Sequence, residues 1–211
     1  MATPHTITQG EHISRIAAQY GFFDYHLIWD DAANAALKKK RVDPHALLPG
    51  DVLQIPDKRH TPVSKPTGAL HRFKIVAPPL KLRLAVRDFD NVPVANVPCE
   101  LEIEGATYPL TTDGDGLVEK DVAATAEHGR LRVPSLGIDL PIRIGHLDPA
   151  DEESGWLGRL INLGYVDDAL GTTDPRELQS DIEEFQCDFG LKVTGVLDDA
   201  TKAKLKQIHG T

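Results

Sequence analysis

Histidine, cysteine and clustered carboxylates are the side chains that could do chemistry in this chain, and their spacing argues against most of it. A metal-dependent hydrolase needs histidine ligands at fixed short spacing with a carboxylate base beside them. The nine histidines stand one at a time and no H-E-x-x-H occurs. A cysteine nucleophile needs a helix start and a histidine partner, whereas Cys99 falls in an alternating, strand-like stretch and Cys187 interrupts an apolar helix face. The two cysteines lie in segments assigned below to different modules, which suggests reduced thiols rather than a disulfide or a metal site. Asp113, Asp115, Gly116 and Glu119 have part of the oxygen spacing of a calcium loop, but the third Asp and the Glu at position twelve are missing, and Asp-Gly is equally a hairpin signal. No catalytic residue, no metal and no cofactor is expected.

Composition narrows the classes further. The 211 residues carry a formal charge of −9, which disfavours nucleic acid, where lysine and arginine must neutralise phosphates. The basic run Lys38-Lys39-Lys40-Arg41 reads as a solvated helix face or loop. There is no uncharged apolar run of the roughly 18 residues that a membrane helix needs. The opening Met1-Ala2-Thr3-Pro4-His5 has neither a basic nor an apolar leader region. The chain is therefore expected to be cytoplasmic as synthesised, with any delivery to the periplasm or cell wall by a non-Sec route.

Hydrophobic periodicity divides the chain into three modules with a polar, proline-containing linker at 58–69: residues 4–57, 70–147 and 148–211. The first opens with a strand, His5-Thr6-Ile7-Thr8, and a Gln9-Gly10 turn. Ile13, Ile16, Ala17 and Tyr20 then make one helical face that Gly21 ends. A second helical stretch surrounds Tyr25, Leu27, Ile28 and Trp29, and Val52-Leu53-Gln54-Ile55 closes the module as a strand. The middle module alternates apolar and polar residues at Leu80–Arg87, Glu100–Glu104 and Arg130–Val133, as half-buried strands do. The last returns to a helical period. One stripe, Trp156, Leu157, Leu160 and Leu163, ends at Gly164. A second helix is capped by Asp174-Pro175-Arg176-Glu177, has the face Leu178, Ile182, Phe185 and Phe189, and ends at Gly190. A third starts at Asp198 and stops at Gly210.

Three family resemblances follow from these stretches. The first module resembles a LysM domain, through His5-Thr6-Ile7, Gln9-Gly10-Glu11-His12-Ile13-Ser14-Arg15-Ile16-Ala17, Tyr20-Gly21 and Leu47-Leu48-Pro49-Gly50-Asp51-Val52-Leu53-Gln54-Ile55-Pro56. His12 stands where that family usually has Thr. Ala32 to Lys40 reads as an insertion of about nine residues after the usual Asn position, here Asp30 or Asp31. The resemblance implies a groove for N-acetylglucosamine glycans between the loop after the first strand and the loop before the last. Gly10, Glu11, His12, Ile13, Phe22, Leu47, Leu48 and Pro49 are its candidate residues. Phe22, Phe23 and Trp29 have aromatic faces suited to pyranose rings, and core packing is the competing use of Trp29. The middle module resembles Ig-like or transthyretin-like accessory domains, through Asp88-Phe89-Asp90-Asn91-Val92-Pro93 and Thr112-Asp113-Gly114-Asp115-Gly116. The third resembles the peptidoglycan-binding domain type 1, through Arg159 to Tyr165, Ile182-Glu183-Glu184-Phe185-Gln186, Gly190-Leu191-Lys192-Val193-Thr194-Gly195-Val196-Leu197-Asp198 and Thr201 to Leu205. Val166 to Thr173 stands where that family has a longer glycine-rich stretch.

The expected architecture is thus multidomain α+β: a βααβ LysM module, a small antiparallel β-sandwich and a three-helix peptidoglycan-binding domain. Glu153-Ser154 resembles the Glu-Ser pair of lytic transglycosylases, but the apolar and glycine signature that follows it there is absent, and a helix start accounts for the pair. The expected function is non-catalytic binding of peptidoglycan or a chitin-like glycan, bivalent through the two outer modules. The alternative is an adaptor in a contractile injection machine, resembling type VI secretion systems and phage-like tails, whose partners would be spike, baseplate or effector proteins. Neither nucleic acid nor membrane is an expected partner.

Overall fold

The computed structural model describes residues 2–58, 62, 64–73, 80–88, 92–166 and 174–210. Parts of the expected linker, the centre of the Asp88–Pro93 turn and most of the Val166–Thr173 stretch lie outside the described residues. The chain is mixed α+β and divides into two compact units, one of Met1–Lys40 with Pro49–His146 and one of Arg41–Leu48 with Leu147–Thr211.

The first unit begins with β1 (Thr3–Thr6), α1 (Ile13–Gln19), α2 (His26–Trp29), a 3-10 turn (Ala32–Asn34), α3 (Ala35–Lys40) and β2 (Val52–Ile55). β1 and β2 pair antiparallel, Thr3 opposite Ile55 and Thr6 opposite Val52. The strand starts two residues earlier than expected because β2 offers only four residues to pair with. Beyond it, Ile7 donates to the Asp51 carbonyl and accepts from the Gly50 amide, both at 2.9 Å. Ile13, Ile16, Ala17, Ile28, Trp29, Leu53 and Ile55 are buried, so Trp29 serves packing. The Ala32–Lys40 stretch is ordered as the 3-10 turn and α3, and is tied to the closing strand. Asn34 is buried, donates to the Ile28 and Gln54 carbonyls at 2.8 and 2.7 Å, and accepts from the Gln54 amide at 2.7 Å. Asn34 is therefore the amide that ties the closing strand to the helices.

The same unit continues as two antiparallel sheets. β3 (Leu80–Ala85) pairs with β6 (Leu117–Val122), and β5 (Ala106–Thr111), β4 (Pro98–Ile103), β7 (His128–Val133) and β8 (Ile138–Arg143) lie in the order β5-β4-β7-β8. Strict alternation along β3 sends Leu82 and Leu84 toward Leu101, Ile103, Leu131 and Val133 of the larger sheet, closing one apolar layer. The Thr112–Gly116 stretch is not the expected hairpin but a tight turn that carries the chain from β5 of the larger sheet to β6 of the smaller one. Thr112 is buried, donates to the Val94 carbonyl and accepts from the Val97 amide. Asp113 accepts from the amides of Asp115 and Leu117, and Glu119 pairs with Lys81 and Arg83. Of the carboxylates suggestive of calcium, Asp113 is engaged by backbone amides and Glu119 by cations.

The second unit contains α4 (Glu153–Asn162), α5 (Pro175–Asp188) and α6 (Asp199–His209). They close over Trp156, Leu160, Val166, Ile182, Phe185 and Leu205. α1, α4 and α5 end alike. A left-handed glycine, Gly21, Gly164 or Gly190, donates to the carbonyl three residues back, and the next residue reaches back five, as Phe22 does to Ala17 at 2.8 Å. Asp174 caps α5 by accepting from the Arg176 amide, with Pro175 in the first turn. Asp198 caps α6 by accepting from Thr201. Arg41–Leu48 folds with these helices, burying Arg41, Ala46 and Leu47. Arg41 is 1% exposed and donates to Asp151 at 2.7 Å and Glu152 at 2.8 Å. The basic run is thus split: Lys38, Lys39 and Lys40 are exposed on α3, while Arg41 is an internal anchor.

Candidate functional site

The loop after β1 is built by one carboxylate. Glu11 accepts from the Thr8 amide at 2.8 Å, the Thr8 hydroxyl at 2.9 Å and the His5 ring at 3.1 Å. Tyr20 lies edge-on to His5, its hydroxyl 3.1 Å from Nδ1, which fits a ring that gives its Nε2 proton to Glu11. Burial raises the Glu11 carboxyl, but these donors together outweigh it and hold the group below its ordinary range. The carboxylate is therefore a turn-former whose oxygen is already in use.

The other expected glycan residues are placed as follows. Gly10 is left-handed and buried. His12 is 2% exposed and Ile13 is fully buried, so their side chains point inward. Phe22 is half-buried with the Lys58 ammonium 5.8 Å from its ring centre, and Phe23 beside it is exposed. Pro49 is exposed in the first unit, whereas Leu47 and Leu48 belong to the second, Leu47 at 4% exposure.

In the second unit the structure explains a signature rather than a cleft. Gln186 is fully buried on α5. Its oxygen accepts from the amides of Thr194 at 2.6 Å and Gly195 at 3.0 Å. Its nitrogen donates to the Thr194 hydroxyl, the Val196 carbonyl and the Thr201 hydroxyl at 2.9–3.0 Å. Thr201 in turn donates to Asp198 from both its amide and its hydroxyl. The F-Q, V-T-G, L-D and T stretches, separated in sequence, converge on one amide that binds α5, the 190–198 loop and the start of α6.

The same stretches carry a family match. Residues 158–205 match the family described as "Putative peptidoglycan binding domain". The match covers less than a quarter of the 211 residues, running from within α4 to near the end of α6. No curated protein and no solved structure is significantly similar to the chain. The helical domain accordingly has the fold and sequence of a peptidoglycan-binding domain, a binding rather than a catalytic type of module.

Around this domain's core, Arg159 is buried and donates to the carbonyls of Gly155 at 2.7 Å and Asp148 at 3.1 Å. Burial lowers its affinity for its proton, and Asp43 partly restores it. Lys202 and Lys206 lie 5.8 and 5.7 Å from the Trp156 ring centre. Burial, aided by the Arg159 charge, pushes His209 down to about 4. A neutral ring suits its Nε2, which accepts from the Asn162 amide at 3.1 Å.

Two further features complete the inventory. Burial pushes the Cys99 thiol up, away from nucleophilic use. Among the described residues no group of three or more His, Cys, Asp or Glu could hold a metal ion, and no helix is long and apolar enough to cross a membrane. Asn34 and Gln186 are the residues whose importance sequence reasoning missed. Gln186 sat in plain sight within a recognised motif, but a buried amide leaves no periodic trace.

Proposed function

We propose that this chain is a non-catalytic peptidoglycan-binding protein that uses the helical domain as its principal wall contact. The observation that carries the reading is the family match at 158–205 together with the intact Gln186 network that builds that fold. The first module is read as a LysM domain and the β-sheet module as an Ig-like spacer. Gly10, Glu11 and Phe22 would be the first module's approach to an N-acetylglucosamine polymer, giving a chain with two glycan-directed modules. The strand–helix–helix–strand order and the antiparallel β1–β2 pair support that assignment.

A second reading is favoured by one specific feature. Gly10 and His12, which would line the LysM groove, are already buried within the first unit. A module whose binding loops hold protein suits an adaptor, which in a contractile injection machine would seat a spike or effector and reach the wall with it. Co-sedimentation of the full chain with insoluble peptidoglycan at moderate salt tests the first reading. Retention, lost on competition with soluble muropeptides, is the expected result. A chain that stays in the supernatant and instead captures purified spike or effector protein would overturn it in favour of the adaptor.

A further inference from the structure

The loop that the LysM reading assigns to glycan is not open in this structure. Within the first unit it is covered by the segment that follows β8. Gly10 and Gly145 both adopt left-handed conformations, φ +85° and +82°, and face one another. A Cβ placed on Gly145 would lie 2.9 Å from the Gly10 carbonyl oxygen and 2.8 Å from the His12 ring. One placed on Gly10 would lie 2.9 Å from the His146 ring. Backbones this close leave no room for a pyranose ring, which needs about 3.5–4 Å of van der Waals clearance on each face. Glycine at both positions is what lets the two segments meet.

A polar contact adds to it. Arg15 on α1 pairs with Glu127 just before β7, both partly exposed, and an ion pair of that kind contributes at most about 1 kcal/mol. The two apolar clusters of the β-sheet module contain no side chain of the first module. Residues 56–79 join the two modules on one side, and on the other Gly145–His146 runs directly into Leu147 of the second unit, which also contains Arg41–Leu48.

We propose that Gly145–His146 is an intramolecular cover over the Gly10–His12 loop, and that the first module meets an N-acetylglucosamine chain only when the β-sheet module withdraws. This rests on the glycan-binding reading of the first module. The cover makes exposure of that site a regulated step: a partner that takes hold of the β-sheet module would release it.

The test uses the full chain, hexa-N-acetylchitohexaose as the probe, and hydrogen exchange at the amides of residues 10–13 as a ligand-independent measure of opening. Gly145→Glu places a side chain against the Gly10 carbonyl and should force the segments apart. Arg15→Ala removes the ion pair without touching the cover. Gly145→Glu should speed exchange at 10–13 and tighten chitohexaose binding at least tenfold by calorimetry. Arg15→Ala should act in the same direction by up to about fivefold, the equivalent of about 1 kcal/mol. If exchange rises while the unaltered chain already binds as tightly as both variants, the cover is no barrier and the proposal falls, leaving the glycan reading intact. If exchange rises and no form binds, the glycan reading of this loop fails and the proposal fails with it. Should Gly145→Glu also lose protection throughout β4, β7 and β8, Arg15→Ala and Glu127→Ala decide by the same criteria.

Discussion

Replacing Gln186 by leucine is the sharpest perturbation of the peptidoglycan-binding domain, because the side chain keeps a similar volume while every polar contact goes. Two backbone amides, Thr194 and Gly195, would lose their acceptor. The Val196 carbonyl and two threonine hydroxyls would lose a donor. Thr201 retains Asp198 as partner for its hydroxyl, so its loss is small. Gly195 is buried and Thr194 partly so, and an amide left unmade there costs about 1–3 kcal/mol. The expected total is about 4 kcal/mol, most of the roughly 5 kcal/mol that a small helical domain commands. Urea unfolding followed by Trp156 fluorescence in a Trp29→Phe background reads this domain alone. Gln186→Leu should lower its midpoint so far that the domain is partly unfolded in buffer, and co-sedimentation with peptidoglycan should fall with it. A midpoint change equivalent to less than about 1 kcal/mol would refute the claim that this network, rather than the apolar core, secures the fold.

Four other expectations follow from single contacts. Gly155→Ala should destabilise the helical domain by about 1–3 kcal/mol in thermal unfolding, although alanine is ordinarily the better helix former, because a Cβ there would overlap the Pro149 carbonyl oxygen. Glu11→Ala should cost the first module about 1–3 kcal/mol by removing the acceptor for Thr8 and His5; a glycan-binding loss without a lower melting temperature would contradict the turn-forming role. His209 is depressed to about 4 in the fold and titrates near 6.5 unfolded, so its contribution is full above pH 6.5 and is lost as pH falls toward 4. The loss should be on the order of 2 kcal/mol after discounting for partial exposure, and His209→Gln should flatten that slope in urea midpoints measured between pH 7 and pH 4.5. Arg41→Ala should lower the helical domain's melting temperature, by the equivalent of about 1–3 kcal/mol, since Asp151 and Glu152 keep some solvent but Arg41 has none.

What the sequence revealed and what it hid divide along a physical line. Helix ends were legible because an apolar stripe followed by glycine is a local pattern, and Gly21, Gly164 and Gly190 each end a helix as expected. Strand alternation at Leu80–Ala85 was legible for the same reason. The buried polar residues were not. Arg41 belonged by composition to a solvated basic run, and its carboxylate partners lie 110 and 111 residues away. Asn34 sat in a stretch with no apolar period, so nothing local distinguished a strand anchor from an insertion. The candidate glycan residues were named from their order in a motif, which cannot show that His12 and Ile13 face inward.

The cover over Gly10 also bears on valency. Two glycan-directed modules on one chain gain about 10²–10⁴ in avidity when both can engage one polymer, and nothing when geometry keeps one from engaging. On the proposed reading, Gly145 against the Gly10 carbonyl would keep the first module from adding a second contact, and wall binding would rest on the helical domain at its single-site strength. Withdrawal of the β-sheet module adds the second contact without creating any new binding surface. A chain that works as proposed would hold the wall weakly while closed and tightly once opened, and the switch would involve the Gly10–Gly145 approach and the partly exposed Arg15–Glu127 pair rather than either binding surface.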